Sequence, residues 1–244
     1  MLGSGANGAE PNHQNEKAPL MRCNPGAALL FDIDGTLADT DALHLRAFNL
    51  VFGPLGHTFD HARFTRELQG FSMASIRERF LGNQPLDRQR AIMEEKEAMF
   101  RSLAAGGVTP TPSLIALLDI ADRDGIPCAA VTNAPRLNAA MMLAGLGIAH
   151  RFKALIIGDE LAHGKPHPMP YLEGLRAVGG RAECAVAFED SRAGVQSATA
   201  AGIATVGIRT SLSHDALVAA GAVTSAIEFG ADAMMRLIAE KMRA

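Results

Sequence analysis

The chain has 244 residues, of which 48% are hydrophobic and 20% charged, a balance typical of globular proteins with a sizeable core. A net charge of −3 provides no basic surface for nucleic acid, and no apolar run is long enough to span a membrane. Three scattered cysteines exclude a disulfide framework and a zinc site. Residues 1–26 have the composition of a flexible tail without the apolar segment of a secretory signal, which predicts a cytoplasmic protein, monomeric or weakly dimeric.

Short apolar runs alternate with helical patterns along the rest of the chain. The runs lie at 28–33, 127–132, 154–158, 184–188 and 204–208. They are continuous rather than alternating, as expected for parallel strands covered on both faces. Helical patterns follow at 112–125, 134–147, 168–178 and 191–202, and Ser191 is well suited to cap the last one. This order predicts an α/β fold with a doubly wound, Rossmann-like parallel sheet.

Residues 41–105 interrupt this alternation, because they carry helical spacing and no convincing strand. The pattern predicts a helical insert that covers the core like a cap, while residues 27–40 and 106–244 form the α/β core. The insert is followed by the Gly- and Pro-rich stretch AAGGVTPTP, which has the composition of a hinge.

Acidic residues follow two of the predicted strands. Asp32 and Asp34 are two positions apart in an extended segment, so they project together from the carboxyl end of the first strand. Glu189 and Asp190 follow the fourth strand, and ligands of open α/β sheets bind at this edge. Clustered carboxylates raise one another's pKa, and a hard cation such as Mg²⁺ resolves that conflict. Taken alone, each acid is also compatible with a helix cap or a solvated loop.

Two further stretches suit the same crevice. Thr132 and Asn133 end the second strand just before a helix, where a hydroxyl and backbone N–H groups could hold phosphate oxygens. Lys165 lies after the third strand in GKPHPMPY, a loop stiffened by prolines, and its ammonium suits a phosphoryl group. Individually these residues could equally be a turn and a surface lysine.

Together, the motifs resemble the haloacid dehalogenase superfamily of phosphotransferases. DIDGTLADT is similar to the first motif of that superfamily, TN to the second, the lysine of GKPHPMPY to the third and FEDSRAGVQSATAAG to the fourth. The position of the helical insert resembles the branch that contains β-phosphoglucomutase and many sugar-phosphate phosphatases. The resemblance implies a Mg²⁺-dependent phosphatase acting on a small phosphorylated metabolite.

The resemblance also implies a role for each residue. Asp32 would be the nucleophile that forms an aspartyl-phosphate, and Asp34 would act as general acid and then general base. Asp32, Asp190 and the backbone carbonyl of Asp34 would bind Mg²⁺, with Glu189 as a ligand or a partner of the ligands. The phosphoryl group would be neutralised by Thr132, the Asn133 backbone and Lys165.

The insert is expected to set specificity. His44 lies one helical turn after Asp41, Gly70 permits a close backbone approach in LQGFS, and Arg77 could reach a substrate anion. Taken alone, His44 is also compatible with a surface or core histidine, and a solvated helix charge is the favoured interpretation of Arg77. Related mutases carry an arginine just after a Gly-x-Ser step, where this chain has Met73. This favours a phosphatase over a β-phosphoglucomutase-type mutase. A receiver-type phospho-acceptor domain would not need the insert, and a true dehalogenase would lack Asp34.

Overall fold

The structure, a computed structural model, describes residues 24–243; residues 1–23 of the predicted flexible tail lie outside them. Six parallel strands form one sheet in this described part of the chain. They are β1 (Ala28–Phe31), β2 (Cys128–Thr132), β3 (Phe152–Ile157), β4 (Ala185–Glu189), β5 (Ala204–Ile208) and β6 (Thr224–Ala226). Their order in the sheet is β3-β2-β1-β4-β5-β6. The chain reverses direction across the sheet between β1 and β4, which creates the crevice where doubly wound sheets bind ligands.

Helices cover both faces of the sheet, as the predicted fold class requires. They are α5 (Leu114–Asp124), α6 (Arg136–Gly145), α7 (Met169–Val178), α8 (Arg192–Ala200), α9 (His214–Ala220) and α10 (Asp232–Met242). Successive residues of β1 point to opposite faces: Leu29 and Phe31 pack in one buried apolar cluster, while Ala28 and Leu30 pack in the other. The prediction of a doubly wound α/β fold is confirmed.

The predicted strands match the observed ones to within two residues, with two differences. The sheet has a sixth strand, Thr224–Ala226, which the apolar pattern did not indicate. Strand β3 is only partly buried, so the expectation that both its faces are covered is wrong. The reason is that β3 lies at the edge of the sheet, where fewer elements cover it. The predicted cap of the fourth core helix is confirmed, since the Ser191 hydroxyl accepts the Gly194 N–H at 3.0 Å.

Four α-helices lie between β1 and α5, inside the range predicted for the insert. They are α1 (Asp41–Phe52), α2 (His61–Glu67), α3 (Met73–Leu81) and α4 (Leu86–Ala104). They share an apolar cluster of their own that includes Phe48, Phe52 and Phe80. No helix within residues 24–243 is long and apolar enough to cross a bilayer.

The two chain segments that join the helical insert to the core run side by side. Ala38 pairs with Pro110 in an antiparallel bridge, and the Thr111 hydroxyl donates to the Thr36 carbonyl at 2.7 Å. The Thr111 N–H donates to the Leu37 carbonyl at 2.9 Å. The insert is therefore connected to the core by two adjacent, hydrogen-bonded segments beside the end of β1.

Candidate active site

Carboxyl ends of the three central strands bring polar side chains together. Asp32 follows β1 directly, Thr132 is the last residue of β2, and Glu189 is the last residue of β4. The backbone N–H of Asp32 donates to the Phe188 carbonyl at 3.0 Å, which places Asp32 beside the end of β4. All three side chains are buried, together with Asp190. The predicted convergence of strand ends is therefore present in the structure.

Lys165 lies at the centre of this group. Its Nζ atom is 2.5 Å from Asp32 Oδ1, 2.5 Å from Glu189 Oε1 and 2.7 Å from the Val131 carbonyl. These three acceptors match the three N–H donors of an ammonium group. Lys165 is itself buried, and although burial opposes its charge, the two carboxylates raise the pKa of its ammonium. The lysine therefore remains charged and holds Asp32 and Glu189 in place.

Three acidic side chains face the single ammonium of Lys165, so they repel one another when ionised. Burial, together with repulsion from Glu189 and against the attraction of Lys165, raises the pKa of Asp32 to about 8. Burial, followed by repulsion from Asp32, raises the pKa of Asp190 well above its ordinary value. Oxygen atoms of Asp32, Glu189 and Asp190 lie within 4.8 Å of one another. Such a buried set of hard oxygen donors, whose ionisation is opposed by burial and mutual repulsion, fits a divalent cation of the Mg²⁺ type.

Glu189 has more hydrogen-bond donors around it than the other two acids. The Tyr171 hydroxyl donates to its Oε1 atom at 2.7 Å, beside the contact from Lys165, and the Ser191 hydroxyl donates to Oε2 at 3.3 Å. A Cβ atom at Gly194 would lie 1.9 Å from the Glu189 carboxylate, so no side chain fits at that position. Of the two roles predicted for Glu189, these contacts favour a partner of the ligand residues, which it reaches through Lys165, over a metal ligand.

Asp34 faces the insert rather than Lys165. Its Oδ1 atom accepts from Thr40 Oγ1 at 3.0 Å and lies 3.2 Å from His44 Nε2. Burial alone would raise the pKa of Asp34, but the histidine and the threonine hydroxyl together hold it below the ordinary value. Asp34 and His44, which were predicted separately as site residues, are thus in direct contact.

The insert contributes a buried series of polar side-chain contacts that the sequence did not indicate. The other ring nitrogen of His44, Nδ1, lies 3.0 Å from Lys96 Nζ, and Lys96 pairs with Glu97 Oε1 at 2.9 Å. Glu97 Oε2 then accepts from Asn138 Nδ2 of helix α6. Lys96 and Glu97 are both buried and both line the pocket with Asp32 and Asp34. Their sequence context, MEEKEAM, reads as an ordinary charged helix face, so no sequence signal set them apart.

Gln69 and Asp41 form a second contact that was not predicted. Gln69 Nε2 donates to Asp190 Oδ2 at 2.8 Å and to Asp41 Oδ2 at 3.1 Å. Ser211 Oγ also donates to Asp41 Oδ2. Burial, and then repulsion from Asp39 and Asp34, raises the pKa of Asp41 to about 7. The insert therefore touches the acid cluster directly through one amide side chain.

The loop around Gly70 packs closely against the core. Gly70 has a φ of +76°, and a Cβ atom there would lie 2.6 Å from Ser191 Oγ, so only glycine fits. The Gly70 carbonyl accepts from Asn133 Nδ2 at 3.2 Å, while Asn133 Oδ1 accepts the Lys165 N–H at 3.0 Å. The Asn133 side chain thus supports the Lys165 loop, and Thr132 Oγ1 accepts the Ala134 N–H at 2.9 Å.

Two predicted site residues do not line this pocket: Glu189, which contacts the pocket residue Lys165, and Arg77, which lies away from it. Helix α3 presents Met73 and Ile76 to the pocket, and Arg77 is not among the residues that line it. Its charge acts instead on Asp159, where burial raises the pKa and Arg77 opposes that shift. The position of Arg77 therefore does not support a contact with a substrate anion and agrees with the alternative of a helix charge outside the site.

Comparison with known proteins identifies the family. The sequence profile of the haloacid dehalogenase-like hydrolases matches residues 29–208, which include every motif of the site. The chain belongs to the haloacid dehalogenase-like hydrolase family. The predicted relationship to this family is confirmed, and so is the prediction of an enzyme of the phosphatase type, since several relatives of this hydrolase are named as phosphatases.

Individual relatives cover most of this haloacid dehalogenase-like hydrolase. Protein CbbY of Rhodobacter capsulatus is 33% identical over 73% of this chain and 83% of its own. Fructose-1-phosphate phosphatase YqaB of Escherichia coli is 32% identical over 75% of this chain and 96% of its own. A solved structure of a CbbY mutant from Rhodobacter sphaeroides, in complex with xylulose-(1,5)bisphosphate, has a TM-score of 0.72 and 30% identity. It covers 83% of this chain and 94% of its own. The family membership excludes the receiver-type signalling domain.

Proposed function

We propose that this protein is a Mg²⁺-dependent phosphatase that hydrolyses a small phosphorylated sugar through an aspartyl-phosphate on Asp32. The observation that carries the proposal is the placement of a buried nucleophile candidate, Asp32, against the ammonium of Lys165 and within one pocket with Asp34, Thr132 and Asp190. Phosphoryl transfer needs little more than positioning and charge stabilisation, and this pocket supplies both.

In the first step, an oxygen of Asp32 attacks the phosphorus atom while the bond from phosphorus to the sugar oxygen breaks. Asp34 delivers a proton to the departing oxygen, so the sugar leaves as a neutral alcohol. Asp34 accepts from Thr40 and lies against His44, and these contacts hold its carboxyl group in position for this transfer. Lys165 and the Thr132 hydroxyl neutralise charge on the phosphoryl oxygens.

In the second step, water attacks the aspartyl-phosphate. Asp34, now ionised, accepts the proton from the water, and the bond from phosphorus to Asp32 breaks to release phosphate. The contacts from His44 and Thr40 that lower the pKa of Asp34 favour the ionised form needed here. The catalytic groups return to their initial protonation states, so the cycle balances.

We assign the Mg²⁺ ion to Asp32, Asp190 and the backbone carbonyl of Asp34, with Glu189 holding Lys165 beside them. This assignment is supported by the mutual repulsion of the clustered acids, which a cation would relieve, and by the donors that already contact Glu189. When bound, the cation would neutralise charge on the transferring phosphoryl group.

A sugar is the favoured substrate because the rest of the pocket combines polar and apolar groups from the insert. Gln69 Oε1 is buried and has no hydrogen-bond partner among residues 24–243, so it can accept a substrate hydroxyl. Phe48, Phe64 and Met73 provide apolar walls. Relatives named for fructose-1-phosphate and for phosphorylated carbohydrates support this substrate class. A cytoplasmic location and a monomeric or weakly dimeric state remain predictions.

Phosphate release from a panel of sugar phosphates tests the proposal. We expect release with several pentose or hexose phosphates in the presence of Mg²⁺, and its loss in the Asp32→Asn variant with the fold retained. An Asp32→Asn variant that keeps more than about a few per cent of wild-type turnover would exclude Asp32 as the nucleophile.

A β-phosphoglucomutase-type mutase is the second candidate, because His44 and a cation of the insert, Lys96, line the pocket. A mutase needs a second phosphate site on the insert. Met73 cannot supply one, Arg77 lies outside the pocket, and the charge of Lys96 is balanced by Glu97. β-Glucose 1-phosphate with a bisphosphate primer separates the candidates. Net phosphate release supports the phosphatase, whereas accumulation of glucose 6-phosphate without phosphate release would establish the mutase.

A further inference from the structure

Two polar contacts join helix α4 of the insert to helix α6 of the core, and Asn138 takes part in both. Asn138 Nδ2 donates to Glu97 Oε2 at 2.5 Å, and both side chains are buried, with 0% and 4% of their surfaces exposed. The other oxygen of Glu97 accepts from Lys96 at 2.9 Å. The Glu97 carboxylate therefore connects a core residue to a pocket residue.

The orientation of the Asn138 amide is fixed by a third residue. Arg101 Nη1 donates to Asn138 Oδ1 at 2.8 Å. A guanidinium group has donors and no acceptor, so the carbonyl end of the amide must face Arg101 and the NH₂ end must face Glu97. The contact can be satisfied in this orientation only by an acceptor at position 97.

Lys96 needs such an anchor because its side chain is long and flexible. Its ammonium lies 3.0 Å from His44 Nδ1 and 4.3 Å from the centre of the Phe48 ring. His44 in turn contacts Asp34 through its other nitrogen. Without the Glu97 carboxylate, several rotamers of Lys96 would compete with the one that touches His44.

We propose that Glu97 and Asn138 are a positioning pair for Lys96: the amide of Asn138 fixes Glu97, and Glu97 holds the Lys96 ammonium against His44 at the pocket. The pair forms only where α4 lies against α6, so Lys96 is in place only when the insert covers the site. The role of this pair in turnover rests on the proposed function, whereas the arrangement of the three side chains does not.

A donor–acceptor swap tests the pair. Glu97→Gln places an NH₂ group against that of Asn138, and Asn138→Asp places a carboxylate against that of Glu97. In the double variant, the introduced glutamine can donate to the introduced aspartate and still accept from Lys96, while the aspartate still accepts from Arg101. We expect each single variant to lower kcat/KM about tenfold, as for the loss of one charge-assisted hydrogen bond, and the double variant to return to within about threefold of wild type.

The Lys96→Met background distinguishes positioning of Lys96 from a contact that only holds the insert against the core. If the pair acts through Lys96, adding Asn138→Asp to Lys96→Met lowers kcat/KM by less than about threefold further. An equal tenfold loss in both backgrounds would overturn the proposal. So would a double variant whose loss is the product of the two single losses, or single variants with wild-type activity.

A measurement without substrate keeps the pair testable whatever the enzyme hydrolyses. The acetylation rate of Lys96 by acetic anhydride, followed by mass spectrometry of the peptide, should rise about tenfold in each single variant and return in the double variant. An unchanged rate in the single variants would contradict the positioning role, even if the wild type releases phosphate. If the single variants do not fold, Asn138→Ala carries the same acetylation test, with the same two outcomes.

Discussion

The Nζ atom of Lys165 lies 2.5 Å from Oε1 of Glu189, and both side chains are almost completely buried. Lys165 makes an equally close contact with Asp32, so one ammonium compensates two carboxylates. A buried charge that loses its partner is costly, whereas the intact cluster can be close to neutral in its effect on stability. The same lysine is therefore important for both folding and charge balance at the site.

Replacing Lys165 with methionine should destabilise the metal-free protein by about 3–5 kcal/mol, because Asp32 and Glu189 lose their partner. Urea unfolding at neutral pH in a chelator measures the effect. Lys153→Met is the matched control, since Lys153 is exposed on strand β3 and should change stability by less than about 0.5 kcal/mol. A Lys165 variant as stable as this control would show that the cluster does not depend on the lysine.

Replacing Gly194 with alanine should destabilise the protein by about 2 kcal/mol or more, although alanine is the better helix former by about 1 kcal/mol. The reason is that a Cβ atom at this position would overlap the Glu189 carboxylate. Gly145→Ala, in helix α6, serves as the comparison because no atom lies within 4 Å of the added methyl group. The melting temperature should fall in Gly194→Ala and rise in Gly145→Ala. Equal melting temperatures of the two variants would contradict the steric argument.

The buried Asp41 should make stability depend on pH. Its pKa is about 7 in the folded protein against 3.8 as the ordinary value, so the folded state binds the extra proton between these pH values. The contribution of Asp41 to the free energy of unfolding is therefore largest below pH 4, falls as the pH rises to 7 and is constant above, with an upper limit of about 4 kcal/mol. Asp41→Asn should remove this contribution to the pH dependence of the free energy of unfolding. Parallel slopes for the two proteins in denaturant unfolding from pH 5 to 8 would contradict the assignment.

Mg²⁺ should stabilise the wild-type protein and leave Asp190→Asn nearly unaffected, because Asp190 is proposed as a ligand. At one hundred times the dissociation constant, the gain is about 2.7 kcal/mol. In a chelator, Asp190→Asn should be more stable than the wild type, because the asparagine removes one of the mutually repelling acids of the cluster. Asp215→Asn, at an exposed position, is the control and should respond to Mg²⁺ like the wild type. Equal Mg²⁺ stabilisation of all three proteins would place the ion elsewhere.

Buried parallel strands were readily predicted because each is a continuous apolar run, and β1 and β5 begin at the predicted residues. Strand β6 has only the three residues Thr-Ser-Ala, which carry no apolar signal, and its pairing with β5 is a tertiary property. Asp32, Lys165 and Asp190 were recognisable from their position after apolar runs in a known order of motifs. Their placement in one pocket follows from the parallel sheet.

Residues contributed by the helical insert were much harder to predict. Gln69 and Lys96 reach the pocket only because helices from distant parts of the sequence pack over the strand ends. A lysine followed by a glutamate on a helix is normally a solvated pair, and nothing local shows that Lys96 and Glu97 are buried. The displaced position of Arg77 has the same origin, since the orientation of α3 over the core is not encoded in its own helical spacing.

The bridge of Ala38 with Pro110 places the entry and exit of the insert next to each other. Two adjacent ends make the insert an exchangeable module: evolution or an engineer can lengthen, shorten or replace residues 41–104 without altering the register of β1 against its neighbours. Enzymes built this way can acquire new substrates while Asp32 and Lys165 keep their positions. A chimera that carries the insert of a relative between Thr40 and Ala105 should therefore fold with the same sheet and take its substrate preference from the donor.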